Sequence, residues 1–212
     1  MRYLLALTGI IMQALFIITE QKGKMGTAVL LKGTAALIFV LIGYLSGSDN
    51  YYVFYGLLCG ATGDILLALR YIAGKYRNPV YITGIIIFTL GHLFYLMALY
   101  PFNKHILLCV IASLILSALI LGFVIKKAEK DKKVLFFGIV YLVIISLMVT
   151  FSVTNYLDYK SKAFGLFALG AILFITSDII KTINTYERNP LKRTINLSLY
   201  YLGQLFIALS LC

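Results

Sequence analysis

Two aspartates stand where a carboxylate is expensive. Asp64 and Asp178 each lie inside an apolar run, one to two turns before that run ends. Ionisable groups in such segments are functional candidates by default. The other six acidic residues, Glu20, Asp49, Glu129, Asp131, Asp158 and Glu187, fall in polar connections or at the ends of runs. Further polar side chains belong at a similar depth. Lys32 is early in the second run, His92 is near the middle of the fourth, and Tyr200, Tyr201 and Gln204 open the last. In a helix His92 and Tyr95 share a face, as do Tyr200 or Tyr201 and Gln204. Two carboxyls, an ammonium, an imidazole and phenols in one layer predict a polar pocket. Paired carboxyls can divide the work of acid and base when their surroundings differ, or can relay protons.

Each residue also has a plainer reading. A lone intramembrane aspartate can be a structural hydrogen-bonding group. Lys32 can snorkel to the headgroups, and tyrosines favour the membrane interface on their own account. His92 can be a helix-to-helix hydrogen bond. Ser177 beside Asp178 has no G-x-S-x-G around it, so it is not expected to be a nucleophile. His105 belongs at a solvated end. Three cysteines, Cys59, Cys109 and Cys212, all occupy apolar positions and read as small buried hydrophobes. Zinc needs three or four ligands, and one deep histidine with two aspartates is a thin set, so no metal or other cofactor is expected.

The elements that position these residues follow from composition. Of 212 residues, 61% are hydrophobic and 13% charged, far from the balance of a soluble domain. Runs of about 20 apolar residues predict transmembrane helices at 3–19, 28–46, 51–69, 80–99, 104–125, 134–153, 162–183 and 195–211. The expected fold is therefore all-α: one polytopic membrane domain over 1–212, a bundle of eight transmembrane helices. No A-x-A-type cleavage site follows the first run, which is read as a mature helix. Pro79, Pro101 and Pro190 are placed in the connections.

The net charge of +11 does not point to nucleic acid, because the Lys and Arg residues sit between spans. Lys22, Lys24, Arg70, Lys75, Arg77, Lys126, Lys127, Lys130, Lys132, Lys133, Lys181, Arg188, Lys192 and Arg193 fall on one side. Arg2, Lys104, Lys160 and Lys162 fall on the other. The positive-inside rule puts the first side in the cytoplasm and both termini outside a cell membrane. The segments TGDIL at 62–66 and TSDII at 176–180 stand four helices apart and hint at a duplicated four-helix unit.

The chain resembles the YhhN family of integral membrane proteins, whose characterised members are lysoplasmalogenases. The resemblance runs from Lys32 to the end. It is carried by Lys32, GDILLAL at 63–69, GIIIFTLGHLFYLMAL at 84–99, GAILFITSDII at 170–180 and YYLGQLFIALSL at 200–211. One departure is visible: the family often has Lys-Pro where this chain has Lys32–Gly33. The resemblance implies an eight-helix hydrolase of lysoplasmalogens, releasing a fatty aldehyde and glycerophosphoethanolamine or glycerophosphocholine. It implies Asp64 and Asp178 as the catalytic pair and Lys32, His92, Tyr200 and Gln204 as pocket residues. Tyr95 and Tyr201, which share faces with His92 and Gln204, complete the expected substrate-binding set. The substrate's phosphate is expected near Lys32 or the basic loops. The alternative from another class is a small proton-coupled transporter. Such proteins usually show helices broken by Gly or Pro at the midplane, and the prolines here are elsewhere. A lipid-binding subunit without catalysis is a third reading.

Overall fold

An apolar chain in lipid must satisfy its own backbone polar groups, and helices do so within each segment. The computed structural model follows this rule, and it describes every residue except 47–49, 125–131, 188 and 212. Among the described residues there are eight α-helices and no strand, and the chain is 91% helical. They are α1 (Arg2–Gln21), α2 (Met25–Leu45), α3 (Tyr51–Leu69), α4 (Arg77–Leu99), α5 (Ile106–Val124), α6 (Lys132–Tyr159), α7 (Lys162–Glu187) and α8 (Pro190–Leu209). Seven are long and apolar enough to cross a membrane. The eighth, α8, falls short because Lys192, Arg193, Tyr200, Tyr201 and Gln204 lower its hydropathy.

Neighbours in the bundle are α1–α2, α2–α3, α3–α4, α4–α6, α6–α7 and α7–α8, and α8 also touches α1, α2 and α3. That order closes a ring. Helix α5 stands outside it, packed mainly on α6, and most of its side chains face outward. Helix α8 is the reverse: Asn196, Tyr200, Tyr201 and Gln204 are all buried. Its polar residues are turned into the protein, which is why its low hydropathy does not exclude it from the bundle.

The ends of several helices differ from the sequence expectation. Helix α6 runs to Tyr159 rather than 153, so Asp158 lies in its last turn. Helix α8 starts five residues early, at Pro190, because the Asn189 side chain accepts from the N–H groups of Leu191 and Lys192. Pro79 and Pro190 are not in connections. They occupy first turns of α4 and α8, where a missing N–H costs no helical hydrogen bond. Pro101 sits in a short 3-10 turn, Tyr100–Phe102. The predicted loop residues Asp49, Lys126, Lys127, Glu129, Lys130, Asp131 and Arg188, and the terminal Cys212, lie outside the described residues. The described part of each helix runs unbroken.

Close approach of α7 and α8 depends on two glycines. A Cβ on Gly170 would sit 2.7 Å from the Gly203 carbonyl oxygen, and one on Gly203 would sit 2.8 Å from the Gly170 oxygen. Small residues are the usual means of such backbone contact in membranes. At the end of the bundle away from the aspartates, Arg2 donates to the Leu45 and Ser46 carbonyls at 3.0 and 3.2 Å. This satisfies carbonyls that the end of α2 leaves open. Asn103 donates to Thr154 and Asn155, and Asn155 to the Leu99 carbonyl, tying the α4–α5 connection to α6.

Candidate active site

Asp64 lies on α3 and Asp178 on α7, and both line one cavity of about 250 Å³ to which all eight helices contribute. Asp64 is 3% exposed, and both of its oxygens are engaged. Lys32 Nζ stands 2.7 Å from Oδ1, and the Tyr200 hydroxyl donates to Oδ2 at 2.7 Å. Lys32 therefore does not snorkel; it reaches inward from the eighth position of α2. Its ammonium also lies 5.9 Å from the ring centroids of Phe16 and Tyr200.

A relay continues behind Tyr200. Gln204 Nε2 donates to the Tyr200 hydroxyl at 3.4 Å, and Tyr95 donates to Gln204 Oε1 at 2.9 Å. Helix α3 makes room for it with glycines on one face. A Cβ on Gly60 would come 2.7 Å from Gln204 Nε2, and one on Gly56 would meet the Tyr95 ring at 2.2 Å. Tyr200 is on the cavity wall, whereas Gln204 stands one hydrogen bond behind it and Tyr95 two.

Asp178 is held differently. The Tyr141 hydroxyl of α6 donates to its Oδ2, and Lys181, three residues on, stands 3.7 Å from Oδ1. Each aspartate thus meets one phenol and one ammonium, but at Asp178 the ammonium is farther away. Tyr141 was missed by sequence reasoning. It is one phenol within an aliphatic run, and no spacing rule marks it.

His92 is 1% exposed and also stands behind the wall rather than on it. Its Nδ1 is 2.7 Å from the Phe88 carbonyl. A carbonyl can only accept, so Nδ1 carries the proton, and Nε2 is buried without a hydrogen-bond partner. Its ring packs edge-on against Phe174 and Tyr141, with centroids 4.8 and 5.3 Å away. Ser177 lines the cavity, but its hydroxyl is unpartnered too, so His92 and Ser177 form no nucleophile–base pair. Tyr201 departs from the pocket expected for it. Its hydroxyl donates to the Ala35 carbonyl at 3.3 Å and lies against Gly9, on the α1–α2 side. The cause is the rotation of about 100° between successive helix residues.

The cavity has a charged mouth and an apolar side. Glu20, Arg70, Tyr71, Tyr81 and Arg193 belong to the mouth, at the end of the bundle where α3 meets α4 and α7 meets α8. Arg193 binds Glu20 through two hydrogen bonds of 2.6 and 3.1 Å. Arg70 donates to the Tyr71 hydroxyl at 2.9 Å. Burial pushes the Tyr71 hydroxyl up, but the Arg193 and Arg70 guanidiniums outweigh it and hold Tyr71 below its ordinary value. The apolar side comes from α5 and α6, through Ile120, Leu121, Leu135, Gly138, Ile139 and Leu142. A Cβ on Gly138 would meet nothing within 4 Å. Among the described residues no three His, Cys, Asp or Glu side chains converge as metal ligands would. His105, at the opposite end, lies 3.5 Å from Asp158 and is half exposed.

Compared with known proteins, residues 4–211 match the family model described as the YhhN family. No curated protein and no solved structure matches the chain.

Proposed function

From the premise that this chain belongs to the YhhN family, we propose that it is a membrane hydrolase cleaving the vinyl ether bond of lysoplasmalogens. The observation that carries the reading is the pair of aspartates from α3 and α7 on one cavity, between a cationic mouth and an apolar wall. That is the shape of a lysoplasmalogen, with an anionic phosphodiester, a reacting vinyl ether and a hydrocarbon chain.

A vinyl ether yields to acid. Protonation of its β-carbon by a carboxylic acid leaves an oxocarbenium ion on the α-carbon and oxygen. Water adds to the α-carbon and gives a proton to a carboxylate, forming a hemiacetal. The hemiacetal then collapses: its hydroxyl returns a proton to the carboxylate left by the acid, and its bond to the glycerol oxygen breaks. That oxygen takes the proton the other carboxyl received from water, and the aldehyde departs with both carboxyls reset. One carboxyl must arrive protonated and the other ionised, the division glycosidases use for the same kind of cation. We assign the carboxylate role to Asp64, whose oxygens receive both Lys32 and Tyr200. Asp178, with Tyr141 as its close partner, takes the role of acid. Tyr95 and Gln204 position Tyr200, and His92 packs Tyr141 in place. The protein sits in the cell membrane with its basic end in the cytoplasm and both termini outside, so substrate enters from the inner leaflet.

Unbroken helices favour this reading over a proton-coupled transporter, which would use discontinuous ones at its midplane. The test is incubation of detergent-purified protein with a vinyl-ether lysophospholipid and its acyl counterpart. Aldehyde from the first, and no fatty acid from the second, is expected. Failure to release aldehyde from the vinyl ether overturns the proposal.

A further inference from the structure

Four cations and three carboxylates line the cavity: Lys32, Arg70, Lys181 and Arg193 against Glu20, Asp64 and Asp178. Three of the cations stand within 4 Å of an acid. Lys32 meets Asp64, Arg193 meets Glu20, and Lys181 meets Asp178. Among the described residues, Arg70 is the cavity cation with no carboxylate partner. Its guanidinium carbon lies 4.8 Å from the Tyr71 ring centroid and 4.5 Å from that of Tyr81, so two aromatic neighbours fix its plane. One Nη2 donates to the Tyr71 hydroxyl, while Nε is buried with no hydrogen-bond partner. A held, unneutralised guanidinium with a spare buried donor is complementary to a phosphate oxygen.

We propose that Arg70 is the seat of the phosphodiester of a single-chain phospholipid, and so selects lysophospholipids over uncharged glycerol lipids. Lys32 is not that seat, because its ammonium is committed to Asp64. Spacing supports the assignment. Arg70 follows Asp64 by six residues and caps the end of α3, about 9 Å of helical rise. In an extended lysoplasmalogen the phosphorus stands seven bonds from the vinyl β-carbon, also about 9 Å at ordinary bond lengths. A phosphate on Arg70 thus leaves the ether level with the aspartates. The inference rests on the lysophospholipid reading for its substrate, but phosphate recognition is measurable without turnover.

The experiment is equilibrium binding in detergent micelles, by displacement of a fluorescent lysophosphatidylethanolamine from the wild type, Arg70→Gln and Arg70→Lys. The two competitors are lysophosphatidylethanolamine and a monoacylglycerol of the same chain. Loss of a charge-assisted hydrogen bond predicts that Arg70→Gln weakens the lysophospholipid about tenfold or more and leaves the monoacylglycerol unchanged. Arg70→Lys should fall between. Should Arg70→Gln not be monodisperse, Arg70→Lys decides by the same comparison. Equal weakening of both lipids in a monodisperse variant, or undiminished lysophospholipid affinity, overturns the assignment. Absence of aldehyde release would overturn the proposed hydrolysis instead and leave this result standing.

Discussion

Asp64 and Asp178 differ in what holds them, and the difference sets what their variants should show. Asp64→Asn and Asp178→Asn keep shape but cannot exchange a proton at neutral pH. Acid–base steps contribute roughly 10²–10⁴-fold, so each single change should reduce aldehyde release by that order. The double variant should be little worse, because a unit disabled once has little left to lose. Near-normal turnover in either Asn variant removes that aspartate from the chemistry. The Lys32–Asp64 pair makes a separate prediction about stability. Lys32→Met leaves a buried carboxylate without its ammonium, and Asp64→Asn leaves the ammonium without its carboxylate. Removing one partner of a buried pair costs about 3–5 kcal/mol, whereas replacing both is often neutral. The double Lys32→Met/Asp64→Asn variant should therefore melt higher in detergent than either single variant. Additive losses would mean that the pair is not coupled.

Helices α3 and α6 carry consequences of their own. Helix α3 presents Gly56, Gly60 and Gly63 to Tyr95, Gln204 and Phe88, and the relay to Asp64 occupies the space they leave. Gly60→Val should push Gln204 off Tyr200. Activity should fall more than stability, and Tyr200→Phe in the same background should add little further loss. A full additional loss would show that Gln204 does not act through Tyr200. On α6, Gly138 lines the apolar side of the cavity with open space where a Cβ would be. Gly138→Leu should fold, because nothing resists the new side chain, and should fill the chain's berth. Measured with lysoplasmalogens of graded length, the variant should lose the longest substrates first. An unchanged chain-length profile would place the hydrocarbon elsewhere.

At the scale of the whole molecule, the distribution of charge predicts which way the bundle faces. The α3–α4 connection and the first turns of α4 and α8, at the cavity mouth, carry Lys75, Arg77 and Arg193, and the positive-inside rule predicts that end to be cytoplasmic. In a background lacking native cysteines, Lys104→Cys should react with a membrane-impermeant maleimide on intact cells, and Lys75→Cys only after lysis. Both positions are exposed, so burial does not confuse the readout. The reverse pattern would turn the cavity to the outer leaflet.

Much of this protein was legible in the amino-acid order. Long apolar runs can only be helices in lipid, so the number of helices and the approximate place of each could be read directly. The depth of Asp64, Asp178 and Lys32 followed from counting along those runs. Helix ends were less legible, because hydropathy stops at the interface while a cap such as Asn189 carries the helix beyond it. What the order of residues did not determine was rotation and neighbourhood. Lipid tails are as apolar as leucine, so a run such as α5 does not announce which of its faces meets protein. Only the packed bundle decided that Tyr141 meets Asp178, and that Tyr200 rather than Tyr201 meets Asp64. It also placed Tyr95, His92 and Gln204 behind the cavity wall and, among the described residues, left Arg70 without a carboxylate partner. The two aspartate pairings join α6 to α7 and α3 to α8 across separations of 37 and 136 residues, and no local pattern encodes a contact that exists only once the helices have closed.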